Sequence, residues 1–315
     1  MLRYVGGRVL QALLVMVAAY IVSFVILFAL PGDPITGMYS GGDAGVVDPE
    51  ELERIRADFG FDRPLWEQFA TRFGAALVGD FGRSIRNGQP VVDMLAQGIP
   101  QTLALVSFAV VIAIVLGVAL ALAATGSRRG WLRQFLLTLP SFGVSMPTFW
   151  VGLILVQIFA FSLKWLPPVG NTGFQSLVLP AITLALPGAA QIAQVLAKSL
   201  TTAGLEPYIT TARAIGLRPS VIHTRDSLRN ALLPALTMAG LLIANMFGGS
   251  IVVESVFSRA GLGQITVKAV LGHDIPTVQA VVVLGAIVFA LVTLVIDLLY
   301  PVVDPRLRPS VGARR

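Results

Sequence analysis

The sequence predicts an all-α, polytopic membrane protein with six transmembrane helices and both termini in the cytoplasm. Its composition is the first indication, because 55% of the 315 residues are hydrophobic and only 13% are charged. Soluble domains carry roughly 25% charged residues, so this chain has too few polar side chains to cover its surface with water-compatible groups. Six long apolar runs and the uneven distribution of Lys and Arg then supply the topology.

Six stretches are apolar enough to cross a hydrocarbon core, which takes about 20 residues. In order, they are residues 9–30, 102–124, 136–161, 177–197, 232–253 and 278–296. Lipid offers the backbone no hydrogen-bond partners, and these runs lack the alternation of a barrel strand, so we expect all six to be helices. Arg3 and Arg8 precede the first run, but its length exceeds the core of a secretory signal, and we expect a retained helix.

The 23 Lys and Arg residues divide unevenly between the two sides that these spans define. Fourteen lie in the segments on the side of the amino terminus, and nine lie on the opposite side. Because cytoplasmic loops retain Lys and Arg, the richer side is predicted to be cytoplasmic and to hold both termini. The net charge of +6 is then a signal of topology, and no nucleic-acid partner is expected.

The spans divide the chain into four parts. Residues 1–30 hold the first transmembrane helix, and residues 31–100 form an extracytoplasmic insertion. Residues 101–303 form a five-helix membrane domain, and residues 304–315 form a cytoplasmic tail.

The insertion is too long to be a simple loop and carries helix signals of its own. Asp48 and Glu51 flank Pro49 in a capping-box arrangement, and a second helix is predicted to start near Pro64. The insertion is therefore predicted to be a small helical cap. It serves either as a lid over the helix ends or as a contact surface for an external partner.

A second long connection, residues 198–231, lies on the cytoplasmic side of the membrane domain. Pro207 is placed to open a short helix, and Gly216 to close it in a left-handed conformation. Pro219 prevents that helix from continuing, and a new helix is predicted to reach Pro234 at the start of the fifth span. A short helix between two turns suits docking to a partner, although an ordinary solvated connector has the same pattern.

Sequence motifs of catalysis and metal binding are missing. The chain has no cysteine, no Gly-Lys dipeptide of a phosphate-binding loop and no Gly-x-Ser-x-Gly turn. His223 and His273 lie fifty positions apart without ligand partners at helical spacing. We therefore predict a chain without catalytic or metal-binding residues that binds no cofactor and does not hydrolyse ATP.

Polar side chains within the spans are the candidates for lining a path through the membrane. They are Gln157, Gln191, Gln194, Asn245, Ser250 and Glu254. An intramembrane carboxylate indicates function by default, but Glu254 lies near the outer end of its span, where it can reach water or cap a neighbouring helix. Asp297, near the inner end of the last span, is expected to be structural, within reach of Arg306 and Arg308.

Breaks and small residues within the spans favour bending and close packing. Prolines interrupt the third and fourth spans, and a Gly-Gly pair lies in the fifth. The small residues at positions 188–190 are expected to let helices pack closely.

The cytoplasmic segment carries a resemblance to a known family. Residues 210–216 (TTARAIG), followed by Leu233 and Pro234, resemble the EAA loop of permease subunits in binding-protein-dependent ABC importers. Threonine replaces the leading glutamate, and seventeen residues separate Gly216 from Pro234; both departures are similar to the peptide/nickel branch. Further similar motifs run in order along the chain: residues 31–34 (PGDP), 60–65 (GFDRPL), 79–84 (GDFGRS), 100–103 (PQTL), 145–150 (SMPTFW), 253–257 (VESVF), 261–263 (GLG), 274–276 (DIP) and 304–306 (DPR).

The chain is thereby identified as similar to the B-type permease of dipeptide and oligopeptide importers in the bacterial inner membrane. The resemblance implies the type I ABC importer fold, a second permease subunit in a heterodimer, two ATPase subunits that bind ATP and Mg, and an external solute-binding protein. It also implies which residues couple the permease to the ATPase: Tyr208, Thr211, Ala212, Arg213, Ala214, Gly216 and Pro234. The small residues among them are expected to allow close approach.

Other functions remain open at this stage. A secondary transporter driven by an ion gradient would favour inverted repeats and ionisable residues at the bilayer midplane, neither of which is evident. A scaffold or insertase without a substrate fits the topology but leaves the 207–216 helix unexplained. Among importers, peptide is favoured over nickel, glutathione or another small solute by the resemblance alone.

Overall fold

The computed structural model describes residues 2–28, 49–218 and 221–303, and in these ranges the chain is almost entirely helical. Between those limits the extended backbone amounts to one isolated antiparallel bridge between Arg83 and Pro90. The helices are, in order, α1 (Leu2–Phe28), α2 (Pro49–Asp58), α3 (Leu65–Leu77), α4 (Val91–Gly126), α5 (Gly130–Ser145), α6 (Thr148–Leu155), α7 (Gln175–Ala203), α8 (Pro207–Ala214), α9 (Leu228–Val256), α10 (Leu262–Leu271) and α11 (Ile275–Val303). Short π-helical segments, Val156–Ser162 and Ile222–Ser227, extend α6 and precede α9.

Four helices are long and apolar enough to cross a membrane by themselves: α1, α4, α7 and α11. The bent pair α5 and α6 adds a fifth crossing if the pair counts as one span. The predicted fifth span lies within α9, whose described apolar part is Gly240–Val256. These helices confirm a multi-pass helical protein, while the count of six crossings and the side of each terminus stay predictions.

The predicted third span is not a single straight helix. α5 and the helical segment that begins with α6 meet at an angle of 102°. Met146 adopts an extended backbone conformation between them, with φ −80° and ψ 131°. Pro147 explains the break, because proline disfavours helical geometry in the residue before it and cannot donate a backbone hydrogen bond. The prolines within the fourth span have a smaller effect, since α7 continues through Pro180 and Pro187.

α7 is the central helix of the membrane domain. Within its apolar window 67% of residues are buried, against 17% in α1 and 11% in α11. α4, α5, α6 and α9 pack on α7, whereas α1 and α11 pack on each other. The broad apolar faces of that outer pair suit contact with lipid or with another membrane subunit.

Glycines allow α7 to approach its neighbours closely, as the sequence predicts. A Cβ atom at Gly188 would lie 2.6 Å from the Met246 methyl group, and one at Gly117 would lie 2.8 Å from the Ala189 carbonyl oxygen. A Cβ atom at Gly143 would meet the Ala190 side chain at 2.9 Å. These distances are shorter than van der Waals contact, so the helices can pack here only because the side chains are missing.

The insertion contains both predicted helices, α2 and α3, whereas Asp48 of the predicted capping box lies outside the described residues. α3 packs on α1 through aromatic rings. The Phe69 and Phe73 rings lie 6.1 and 5.1 Å from the Tyr20 ring. The Arg72 guanidinium group donates to the Phe59 carbonyl oxygen at 2.6 Å, and burial lowers its pKa. The insertion is thus packed onto the membrane domain.

An ion pair joins α1 and α11 near the predicted cytoplasmic side. Arg8 Nη1 lies 3.0 Å from Asp297 Oδ2. The expectation that Asp297 is structural therefore holds, but its described partner is Arg8 of α1. Arg306 and Arg308 lie outside the described residues.

Candidate coupling and translocation sites

The short helix α8 begins and ends where the sequence predicts. Pro207 is its first residue, where the missing N–H group has no helical partner to lose. Gly216 follows its last turn with φ +82°, a left-handed conformation that L residues other than glycine adopt at a cost. The Leu217 N–H group donates to the Ala212 carbonyl oxygen at 3.2 Å and completes the C-terminal turn.

One face of α8 is anchored to the rest of the chain. Ile209 is 1% exposed and packs with Ala212 against Ile222, in the π-helical turn that leads into α9. Any force on α8 therefore acts directly on the start of α9. This differs from the expectation that Ala212 admits the ATPase closely, because its small side chain is used for packing within this chain.

α8 and its flanking turns also carry exposed apolar side chains. Leu205 and Ile215 are 83% and 71% exposed, and Tyr208 and Leu217 are exposed as well. Together with Thr211, these residues form what we call the coupling surface. Clustered exposed apolar side chains at a membrane-protein loop are typical of a docking surface for another protein.

The remaining predicted coupling residues lie close to this surface. Ala214 is exposed, and a Cβ atom at Gly216 would meet no other atom within 4 Å. The backbone of Arg213 lies in α8 and that of Pro234 in α9, while their side chains lie outside the described part of the structure.

The polar residues predicted for the path fall into two groups. Gln157, Gln194 and Asn245 are exposed, and Gln191 is half-buried. Gln194 lines a cleft of about 400 Å³ between α4, α5 and α7. Ser250 is buried and donates to the Phe247 carbonyl oxygen at 2.7 Å.

Glu254 is fully buried and caps α10. Its carboxylate accepts hydrogen bonds from Thr102 Oγ1 and from the Gly263 N–H group, both at 2.6 Å. Thr102 Oγ1 in turn accepts from the Leu262 N–H group at 2.8 Å. The first two N–H groups of α10, which have no partners within the helix, are thereby both satisfied. We call these residues the Glu254 cluster.

The Glu254 cluster requires glycine on both sides of Leu262. A Cβ atom at Gly261 would lie 2.4 Å from the Glu254 carboxylate oxygens. One at Gly263 would lie 2.5 Å from the Ile251 Cα atom. The Gly-Leu-Gly motif thus lets a buried carboxylate and a neighbouring backbone reach the start of α10.

Arg259 forms a second buried layer beside this cluster. Its Nη1 atom donates to the carbonyl oxygens of Gly170 and Ser176 at 3.2 and 3.0 Å. Burial lowers the pKa of the guanidinium group, and the nearby Glu254 carboxylate partly offsets that effect. Arg259 therefore ties the end of α9 to the loop before α7.

Asp274 forms a comparable centre between α11 and the insertion. Its Oδ2 atom accepts from Ser84 Oγ at 2.5 Å and from Thr277 Oγ1 at 2.7 Å, and its Oδ1 atom accepts from the Ile85 N–H group at 3.2 Å. Sequence reasoning singled out neither Thr102 nor Asp274 as a functional residue. The available signal was that both lie in motifs that carry the resemblance.

Among the described residues no group of three or more His, Cys, Asp or Glu side chains could hold a metal ion. The two buried carboxylates are instead used in hydrogen bonds to hydroxyl and backbone N–H groups. What the geometry offers is a short helix that is anchored to the turn before α9 and carries exposed apolar side chains, and two hydrogen-bonded centres around Glu254 and Asp274.

Comparison with known families covers nearly the whole chain. Residues 113–309 match the family described as binding-protein-dependent transport system inner membrane component. Residues 1–106 match the N-terminal membrane component of binding-protein-dependent transport systems.

Individual relatives agree with these matches. The chain is 36% identical over 308 residues to the glutathione transport system permease protein GsiC of Escherichia coli (strain K12), covering 98% of this chain and 99% of that protein. The protein of the same name from Shigella dysenteriae serotype 1 matches equally. Among solved structures, two inward-facing crystal forms of the MetNI methionine ABC transporter are similar, with TM-scores of 0.57 and 0.52 at 21% and 22% identity. Each covers 67% of this chain and 96% of the other. At that identity the likeness bears on the fold alone.

Proposed function

Because this chain belongs to the family of inner membrane components of binding-protein-dependent transport systems, we propose that it is a permease subunit of an ATP-driven peptide importer. Because it belongs to this family and contains several helices long and apolar enough to cross a membrane, it is a multi-pass protein of the bacterial inner membrane. The chain is a non-catalytic permease subunit of an ABC importer, and it works with ATPase subunits and a substrate-binding protein.

The observation that best supports coupling through α8 is the combination of its anchored and exposed faces. Ile209 and Ala212 fix the helix to the turn before α9, while Leu205 and Ile215 project from the chain. A rigid helix of this kind fits a groove on an ATPase subunit and passes its movement to α9. ATP can shift the balance between inward-open and outward-open states only if the contacts between the ATPase and the permease differ between the two states.

The translocation path is proposed to run along the exposed polar side chains of the membrane domain. Gln157, Gln191, Gln194 and Asn245 are the candidates, because each retains access to the surface of this chain. Exposed amides are unfavourable against lipid, so a second permease subunit facing them would close a polar path. Resemblance favours a heterodimer over two copies of this chain. Ser250 and Glu254 are hydrogen-bonded to other groups of this chain, and we place them behind the side chains that line the path.

Peptides are the proposed substrate class, and glutathione is the second candidate. Carboxamide side chains along the path suit the carbonyl and N–H groups of a peptide backbone. Glutathione is itself a tripeptide, and the permeases named for it share 36% of residues with this chain. Nickel has weaker support, since the four side chains proposed for the path are all amides and include no histidine.

Uptake by the reconstituted complex tests both the energy source and the substrate. Proteoliposomes would contain this chain, its partner permease, the two ATPase subunits and the binding protein, with ATP inside or outside. We expect labelled tripeptide to accumulate only when ATP can reach the ATPases, and unlabelled peptide to compete better than glutathione or Ni²⁺.

An ionophore supplies the control for the energy source. Dissipating ion gradients should leave ATP-driven uptake unchanged. Uptake that requires a proton or sodium gradient would instead favour a secondary transporter and would contradict the proposal.

A further inference from the structure

A large polar cavity lies on the predicted outer side of the chain, apart from the path candidates. Its volume is about 700 Å³, within the range of small-molecule sites. The walls come from the segment after α3, from the first turns of α4, from the loop before α7 and from α10. Its polar lining includes six carboxamide side chains and two exposed cations: Asn87, Gln89, Gln97, Gln101, Asn171, Gln264, Arg86 and Lys268.

Internal hydrogen bonds use the oxygen atoms of most of these carboxamides. Asn171 Oδ1 accepts from the Ala260 N–H group at 3.2 Å, and Gln264 Oε1 accepts from Lys268 Nζ at 3.3 Å. Gln101 Oε1 faces Arg259 Nη2 at 3.5 Å. Across the described residues, no hydrogen bond uses the side-chain N–H groups of Gln101, Asn171 or Gln264. These donors are left for a molecule in the cavity.

The segment before α4 repeats this pattern. Asn87 Oδ1 accepts from the Gln89 backbone N–H group at 3.1 Å, and Gln89 Oε1 accepts from Asn87 Nδ2 at 3.3 Å. Arg86 lies against the end of α10, because a Cβ atom at Gly272 would come within 3.2 Å of its side chain. A guanidinium group and further amide donors therefore border the same space.

Charge in and behind the cavity wall is positive overall. Arg86 and Lys268 line the cavity, and Arg259 lies behind Gln101. Of the two nearby carboxylates, Asp274 lines the cavity and accepts from two hydroxyl groups and a backbone N–H group, whereas Glu254 lies outside the lining and is hydrogen-bonded within its own cluster. Three cations and two carboxylates leave an excess of one positive charge, and the carboxylates offer few acceptors to a ligand.

We infer that this cavity is a binding site for the carboxylate end of a short peptide. A donor-rich, positively charged site suits a ligand with a carboxylate group and several carbonyl oxygens. The ammonium group of a peptide would find no free carboxylate here, so the amino end lies away from the cations. Peptide reaches this cavity only if the chain serves a peptide importer, so the role of the site rests on the proposed function.

Close packing at Gly98 shapes the floor of this site. A Cβ atom there would lie 2.7 Å from Ile265 Cδ1 and 3.1 Å from the Leu262 backbone nitrogen. α4 and α10 therefore meet directly beneath the cavity. Because α10 is held by the Glu254 cluster, the position of Lys268 and Gln264 depends on the end of α9.

Three tripeptide probes test the inference on the full chain in lipid nanodiscs, without ATPase subunits. Saturation-transfer NMR would measure the dissociation constants of trialanine, its C-terminal amide and its N-acetyl derivative. We expect the amide to bind about fivefold more weakly than trialanine, the loss expected for one charge-assisted contact. The N-acetyl derivative should bind as well as trialanine.

Variants of the lining residues test whether the difference in affinity between trialanine and its amide arises in the cavity. In Arg86→Gln/Lys268→Gln the difference between trialanine and its amide should disappear. Gln97→Glu adds a carboxylate to an exposed position of the lining. It should weaken the binding of trialanine more than the binding of the amide. Lys164→Gln is the matched control, because Lys164 is an exposed outer lysine that does not line the cavity.

The proposal is wrong if wild-type protein binds trialanine and its amide equally, or if acetylation removes binding. It is also wrong if the double variant keeps the difference. Binding here requires no ATP, so failure of ATP-driven uptake would be recognised separately.

Discussion

At the scale of single residues, the outer end of the membrane domain depends on the pairing of Thr102 with Glu254. The two side chains satisfy the first two N–H groups of α10 and are both buried. A buried donor without a partner costs about 1–3 kcal/mol, so the loss of any one hydrogen bond in this cluster should lower the free energy of unfolding.

Thr102→Val should destabilise the chain by about 1–3 kcal/mol, because it leaves the Leu262 N–H group and one Glu254 oxygen without their partner. Thr102→Ser keeps the hydroxyl group and should retain most of the stability. The midpoint of thermal unfolding in detergent measures both variants. Equal midpoints for Val and Ser at this position would show that the hydroxyl group does not hold α10.

Gly263→Ala should also destabilise the chain by about 1–3 kcal/mol, since the new methyl group would overlap the Ile251 backbone and force α9 and α10 apart. Gly285→Ala is the matched control, because a Cβ atom at Gly285 in α11 would meet nothing within 4 Å. The same unfolding measurement applies. A similar midpoint for both alanine variants would contradict the close contact.

The sequence predicted part of this residue-level chemistry. Glu254 stood out as a carboxylate near the end of a span, and capping a neighbouring helix was one of its expected uses. Thr102 and Asp274 did not stand out, because threonine and aspartate are common at helix ends. Apart from Thr277 beside Asp274, their partners are 152 to 190 positions away in sequence, a distance that periodicity and spacing do not bridge.

At the scale of helices, local signals succeeded where a proline or glycine set the backbone directly. Pro207 and Gly216 bound α8 as predicted, and α2 and α3 occur within the insertion. The start of α4 was harder, since the helix begins at Val91, eleven residues before the apolar run that marks the span. Residues 91–101 are less apolar because they border the outer cavity, so hydropathy alone placed the boundary too late.

Gly216→Leu should leave membrane insertion and subunit assembly intact while uncoupling ATP hydrolysis from uptake. The φ of +82° disfavours a side chain by about 1–2 kcal/mol, and the distortion falls beside the coupling surface. Solute transported per ATP hydrolysed, measured in proteoliposomes, should fall on the order of tenfold.

Gly79→Leu provides a control for backbone strain itself. Gly79 has φ +84° with nothing within 4 Å of its Cβ position, and it lies in the extracytoplasmic insertion. Its leucine variant should therefore keep normal coupling. Normal coupling in the Gly216 variant as well would remove α8 from the route of energy transfer.

At the scale of the whole molecule, the described chain combines one densely packed centre with several exposed surfaces. A densely packed centre around α7 contrasts with apolar outer helices, an exposed coupling surface on one side and an open polar cavity on the other. The family, the fold and the membrane location followed from composition and ordered motifs. The break between α5 and α6 agrees with the predicted interruption of the third span by proline. The packing of the insertion on α1 did not follow from the sequence, since it depends on contacts between distant segments.

The most direct test of the central claim is solute accumulation by vesicles that contain this chain with and without its ATPase subunits. We expect accumulation against a gradient only when the partner permease, the ATPases, the binding protein and ATP are all present. Vesicles that contain the chain alone should accumulate nothing, even under an imposed proton or sodium gradient. Concentrative uptake by the chain alone would contradict the account.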